Sequence, residues 1–188
     1  MPGFYVTNAV PINKLQCYNA KNCISDEMVV NNFSLKRATI NKFCNDKCFS
    51  ANEDYVVIQE GVLLNKEAMF NHYNKKTIFD LIIFMYENCG EKFFSQFRGS
   101  FSGAIYDKKL DKWLIYTNQV GDNALFYYYT NGLFIVASQF SDMLETLQKN
   151  NIKPEINDEA IRDMLTYAFM SKEHTYAKAV SRLGGGVI

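Results

Sequence analysis

Apolar residues recur along this chain with two periods, and the densest stretch, residues 97–139, reads as strands joined by turns. Residues 100–106 (SFSGAIY) are small and apolar; a charged turn at 107–112 follows, then WLIYT at 113–117. Gly121, Asp122 and Asn123 interrupt before LFYYYT at 125–130, and Asn131-Gly132 turns the chain back into LFIVAS at 133–138. Asn-Gly between aromatic and β-branched runs is a strong hairpin signal, because both residues tolerate positive φ. Two of these runs are apolar almost throughout instead of alternating. That predicts strands buried on both faces, in a sheet held between other layers.

Outside this stretch the signals are sparser. Residues 3–9 (GFYVTNA) predict a first strand and 55–59 (YVVIQ) another, stopped by Glu60-Gly61. Residues 11–54 are polar and rich in Asn and Lys, with strand islands at 28–30 and 35–40 and a surface loop at 46–54. Asn65 is placed to cap a short helix, with Glu67 near its positive end. From Thr77 onward, Ile78, Leu81, Ile82, Met85 and Cys89 recur at helical spacing until Gly90, and 91–97 continue as a short amphipathic piece. A further helix starts at Ser141 or Asp142 and runs to Lys149, and another runs from Asn157 through Tyr167. Ile161, Leu165 and Phe169 form a stripe on this last helix, facing either the domain's own sheets or a partner. No linker, repeat or low-complexity tract divides residues 1–188, so a single α+β domain is expected, with helical layers around stacked sheets.

Composition removes several classes of function. Twenty basic and 20 acidic side chains balance to zero, which gives no electrostatic case for nucleic acid or an anionic membrane. The first ten residues lack a basic start and an apolar run, and no stretch approaches the ~20 apolar residues of a membrane helix, so a soluble cytoplasmic protein is expected. Five cysteines (17, 23, 44, 48, 89) are an odd number without an export signal, which predicts reduced thiols. Neither Cys17/Cys23 nor Cys44/Cys48 has zinc-knuckle spacing, and His72 and His174 lie far off, so no metal site and no cofactor are expected. The Tyr127-Tyr128-Tyr129 run has no basic cluster beside it and reads as sheet packing. Gly184-Gly185-Gly186 lacks the Lys-Ser/Thr of a phosphate loop.

The central stretch also carries a resemblance. Arg98-Gly99 with Phe101, Ala104, Tyr106 and Asp107 is similar to the RGMFAFALYD segment of the class II, N-terminal-nucleophile glutamine amidotransferase domain of asparagine synthetases. Gly121 with Leu125-Phe126-Tyr127 resembles that family's RDRFGIKPLYY, and Val136-Ala137-Ser138-Gln139 its FASE. Tyr86, Glu87 and Gly90 fit YEEYG, while Glu159-Ala160, Leu165-Thr166-Tyr167, Thr175, Val180 and Arg182-Leu183 fit the tail that leads out of the amidotransferase domain. The resemblance implies a four-layer αββα sandwich with mainly antiparallel sheets, in which residues 155–188 are the lead-in to a synthetase domain.

The same alignment implies a degenerate active site. The family begins Met-Cys-Gly and uses that cysteine's thiol as nucleophile with its own α-amine as base; here Pro2 stands before Gly3. The family's NGE turn, whose Asn helps form the oxyanion hole, aligns with Glu60-Gly61-Val62, which puts a carboxylate where negative charge must develop. The SDTE segment, whose Asp holds the substrate's α-amino group, aligns with residues 77–80 and places Ile78 at that Asp. The arginine of RRLSI, which holds the substrate carboxylate, matches Arg37. Arg37, Glu60, Gly61 and Ile78 are thus the vestigial substrate pocket, with no catalytic residue left.

Two further expectations follow from the resemblance. No Ser-Gly-Gly-x-Asp loop of an ATP pyrophosphatase occurs, so partnership with an ATP-pyrophosphatase-type synthetase domain or subunit is expected, with homo-oligomerisation as a second possibility. The rival readings are an active amidotransferase or amidohydrolase using an unorthodox nucleophile such as the Pro2 amine, and an amino-acid-sensing module.

Overall fold

A computed structural model describes residues 3–15, 23–40, 46–170 and 173–185. Its architecture is α+β, and every strand pairing is antiparallel. The chain divides into two compact units: residues 1–41 with 124–184, and residues 42–123 with 185–188.

The first unit carries a six-stranded sheet. Its strands are β1 (Gly3–Thr7), β2 (Cys23–Val30), β3 (Phe33–Ile40), β8 (Phe126–Thr130), β9 (Leu133–Ala137) and β10 (Ser181–Arg182), in the order β10-β8-β9-β1-β3-β2. The Asn131-Gly132 hairpin forms as the sequence predicts, with φ of 53° and 76° at its two turn residues. Helix α3 (Phe140–Lys149) lays Met143 and Leu147 against Tyr5, Ile135 and Ala137, and α4 (Asp158–Tyr167) follows. Asn157 caps α4 through its side chain, which accepts from the Ala160 N–H.

The second unit carries a four-stranded sheet in the order β4-β5-β6-β7: β4 (Cys48–Ala51), β5 (Tyr55–Leu63), β6 (Gly99–Asp107) and β7 (Lys112–Thr117). Helices α1 (Lys66–Tyr73) and α2 (Ile78–Cys89), with a 3-10 turn at Gly90–Gln96, cover one face. Their Met69, Leu81, Ile82, Met85 and Phe93 meet Val57, Leu63, Phe101, Ile105 and Tyr116 in one cluster. Thr77 caps α2 by accepting from the Asp80 N–H, and its hydroxyl donates to the Asp80 carboxylate at 2.7 Å.

Several sequence expectations are corrected. Residues 46–54 are not simply a loop, because β4 pairs there with β5 as an edge strand. Gly61 does not stop β5: with φ at +112° it kinks the strand, which runs on to Leu63. Any Cβ at Gly61 would lie 2.2 Å from the Ser100 carbonyl oxygen, so glycine is what lets β5 pass β6 there. Asn65 does not cap α1; its amide donates to Gln96 and its carbonyl accepts from the Arg98 N–H, tying the two ends of the helical segment together. Cys23 is disulfide-bonded, against the expectation of reduced thiols, whereas the buried Cys48 and the exposed Cys89 form no disulfide. An odd cysteine count guarantees that at least one thiol is left out of a disulfide but does not forbid a pair.

Candidate functional site

The positions to which the resemblance assigns chemistry fall in both units. In the second, β5 carries Gln59, Glu60 and Gly61 between β4 and β6. Alternation sends Val57, Gln59 and Leu63 toward the helices, and Glu60 to the opposite face, where it is only 4% exposed. Gln59 is fully buried, and its carbonyl oxygen accepts a 2.6 Å hydrogen bond from Tyr116 on β7. Burial pushes the Tyr116 phenol well above its ordinary pKa, so it stays a neutral donor.

The chain around Gly61 is fixed by Asp46, which sequence reasoning did not single out. The Asp46 N–H donates to the Gly61 carbonyl at 2.6 Å, and one carboxylate oxygen accepts from the Leu63 N–H at 2.7 Å. The other oxygen takes the Lys66 ammonium at 2.5 Å. One carboxylate thus clasps the turn that joins β5 to α1. Ile78 opens α2 and packs against the hydrophobic cluster on the helix-covered face, while Glu60 belongs to the other face of the sheet. A half-buried isoleucine side chain offers nothing to an ammonium group.

In the first unit, Gly3 opens β1 opposite Ala38, and Phe4 lies opposite Arg37. A Cβ at Gly3 would meet the Ser138 Cβ at 2.8 Å, and the Phe4 N–H donates to the Ser138 hydroxyl at 3.0 Å. The absence of a side chain at Gly3 is therefore required by the approach of Ser138, which belongs to the motif similar to FASE. Arg37 is engaged by Asp26 on β2: its Nε and one terminal nitrogen donate to the same carboxylate oxygen at 3.0 and 2.5 Å. With the side chain 12% exposed, this guanidinium is committed to a cross-strand ion pair. Pro2 lies outside the described residues, as do Cys17 and Cys44.

The sequence profile of the glutamine amidotransferase domain matches residues 34–188. The chain belongs to this family. The match covers β3 through β10, so the Arg37 strand, the Glu60-Gly61 turn, α2 and Ser138 are all positions of the amidotransferase domain. It is a match to that domain at large and not to asparagine synthetases in particular. No curated protein sequence matches the chain. Among solved structures, it is similar to glutamine phosphoribosylpyrophosphate amidotransferase from B. subtilis, complexed with ADP and GMP, at 11% identity and a TM-score of 0.49, over 78% of this chain and 37% of that one. It is also similar to a structure of the allosteric regulatory enzyme of purine biosynthesis, at 9% identity and a TM-score of 0.45, over the same shares of each chain. The chain thus spans little more than a third of those structures' length.

Among the described residues no group of three or more His, Cys, Asp or Glu side chains is placed to hold a metal ion. No helix among them is long and apolar enough to cross a membrane. Of the residues that the resemblance assigns to a substrate pocket, Glu60 is a buried carboxylate, Ile78 an apolar side chain and Arg37 an arginine paired with Asp26.

Proposed function

We propose that this chain is an amidotransferase-like domain that has lost its glutamine chemistry and serves as the partner half of an asparagine-synthetase-like, ATP-dependent amide-forming enzyme. The observation that carries the loss is Glu60. Attack on an amide puts negative charge on its oxygen, and the family meets that charge with a side-chain amide. Here a buried carboxylate stands at that position, on the strand segment held by Asp46. Ile78 at the ammonium-binding position and Pro2 at the nucleophile position point the same way.

The partner role is supported by α4. Of the stripe, Leu165 is 82% exposed and Phe169, just past the helix, 61%, while Ile161 is half-buried; with Tyr167 at 63%, the end of this segment does not pack on the domain's own sheet. Contiguous exposed apolar side chains mark a surface that another protein covers, and an ATP-pyrophosphatase-type synthetase domain or subunit is the occupant the motif order favours. The protein works in the cytoplasm on this reading.

The test is ammonia release from glutamine by the purified protein, with glutamine affinity measured by calorimetry. The expected result is background ammonia and no micromolar binding of glutamine. Ammonia release that disappears in Pro2→Ala would overturn the proposal in favour of an amine nucleophile. Micromolar glutamine affinity without turnover would overturn it in favour of an amino-acid sensor.

A further inference from the structure

We infer that the first unit holds a binding pocket for a small, neutral aromatic molecule, at a place unrelated to the glutamine positions. A cavity of about 480 Å³ opens among β8, the start of α3, the end of α4 and the segment leading to β10. Its volume lies in the range of ordinary small-molecule pockets, roughly 300–1,000 Å³. The apolar wall includes Phe126, Phe140, Met164 and Phe169. The first three are half-buried and the fourth exposed, so the wall keeps apolar surface that an occupant would take out of water. The rings of Phe126 and Phe140 lie 5.3 Å apart and tilted by 57°, leaving faces and edges for a third ring. The thioether of Met164 adds the polarisable kind of contact that aromatic rings favour.

The polar groups of the lining set the ligand's charge by being committed already. No Asp or Glu lines the cavity, and its one arginine, Arg182, has an interaction of its own. The Nδ1 atom of His174 is enclosed by protein and is not presented to the cavity. The Thr175 hydroxyl is used by the Ala177 and Val180 carbonyl oxygens, and it accepts from the Ala177 N–H as well.

A carboxylate entering this cavity would give up water for an arginine engaged elsewhere, and an ammonium would meet no acid at all. Either charge is penalised there, whereas an uncharged ring loses nothing on entry and gains the apolar wall. The ligand class is therefore neutral and aromatic, which excludes amino acids. This inference goes beyond the proposed loss of glutaminase chemistry and does not depend on it, since none of its residues belongs to the glutamine positions.

The experiment titrates the full chain with toluene, beside the anion benzoate and the cation benzylammonium, by saturation-transfer NMR. Toluene should bind, with the two ions each about tenfold weaker or worse. Labelled methionine methyl groups locate the probe: toluene protons should show contacts to Met164 and Met170, which line the cavity, and none to Met69 or Met85 in the second unit. Ala124→Phe, which places a ring in the cavity, should weaken toluene about tenfold, and Leu165→Glu on the exposed face should leave it unchanged. The ligand series and the methionine contacts on the unsubstituted chain decide the question even if a variant misfolds. No binding of toluene at millimolar concentration, equal affinity for toluene and either ion, contacts to Met69 or Met85 in place of Met164 and Met170, or loss of binding in Leu165→Glu would each overturn the assignment.

Discussion

The hydroxyl of Tyr116 on β7 donates to the side-chain carbonyl of Gln59 on β5 at 2.6 Å, reaching over β6 at Gly103. Gly103 pairs with both residues, and a Cβ there would sit 2.4 Å from the Tyr116 ring and hydroxyl and 2.6 Å from the Ile58 carbonyl oxygen. Three strands are thus joined by one side-chain bond that only glycine in the middle permits.

Gly103→Ala is therefore expected to cost about 3 kcal/mol, because neither the buried ring nor the backbone oxygen can withdraw. Urea unfolding followed by the fluorescence of Trp113, stacked on Tyr106 at 4.8 Å, reads this loss within the second unit. An unchanged midpoint would show that the ring has room to move.

Tyr116→Phe removes the donor and keeps the volume. The buried Gln59 oxygen loses its partner, a destabilisation of about 1–3 kcal/mol. A neutral outcome in the same urea titration would mean that Gln59 finds another donor.

Alkali should act through the tyrosines. Burial raises the Tyr116 pKa well above 10.0, and burial together with Glu87 raises that of Tyr55 to about 12. Both phenols hold their protons more tightly folded than unfolded. Their stabilisation is fully present below the unfolded value near 10 and is lost as pH rises from there toward the folded values. Stability should be flat with respect to these two groups up to about pH 9.5 and fall above 10. In Tyr116→Phe that alkaline fall should be shallower, and an identical slope in both proteins would contradict the assignment.

Asp46→Ala should loosen the turn between β5 and α1. It leaves the Leu63 N–H without its acceptor and Lys66 without its carboxylate, at a cost of about 2 kcal/mol. Asp46→Asn keeps an acceptor for Leu63 and should cost less than the alanine. The two melting temperatures compare the contributions directly, and equal losses would assign the whole effect to the ion pair.

Leu165→Glu is expected to leave the melting temperature nearly unchanged, within about 0.5 kcal/mol, because the side chain already lies in solvent. Any association through α4 should weaken, as read by sedimentation velocity. Unfolding of this variant would place Leu165 in a core and remove the physical support for a partner surface.

The sequence pattern made the hairpin at Asn131-Gly132 and the helix capped by Thr77 legible because local residues decide them. Short β4 was not legible: its CFSA has no period of its own and is a strand only because β5 lies beside it. Gly61 reads locally as a stop, and only the approach of Ser100 turns it into a kink. The α4 stripe has the same spacing as a core helix, and periodicity says that a face is apolar without saying what covers it. Motif order pointed to Glu60, Gly61 and Ile78 but not to the opposite faces of the sheet on which Glu60 and Ile78 lie. The Asp26–Arg37 pair needed the register of β2 on β3, and the Asp46 clasp needed the backbone path, neither of which spacing encodes.

The central position of β1 in its sheet sets an order of assembly. Its neighbours are β3 and β9, so Val6 must wait for Val136, 130 residues later, before the strand is paired on both sides. The whole of β4 to β7 is synthesised between those two events, and its pairings are all closer in sequence. Long loop closures slow folding while nested local ones proceed first. During synthesis the second unit can complete its sheet while β1 still exposes an unpaired edge of fully buried native residues, Phe4, Tyr5 and Val6. That interval, ended only when β9 leaves the ribosome, is when this chain is most open to aggregation and most dependent on chaperones.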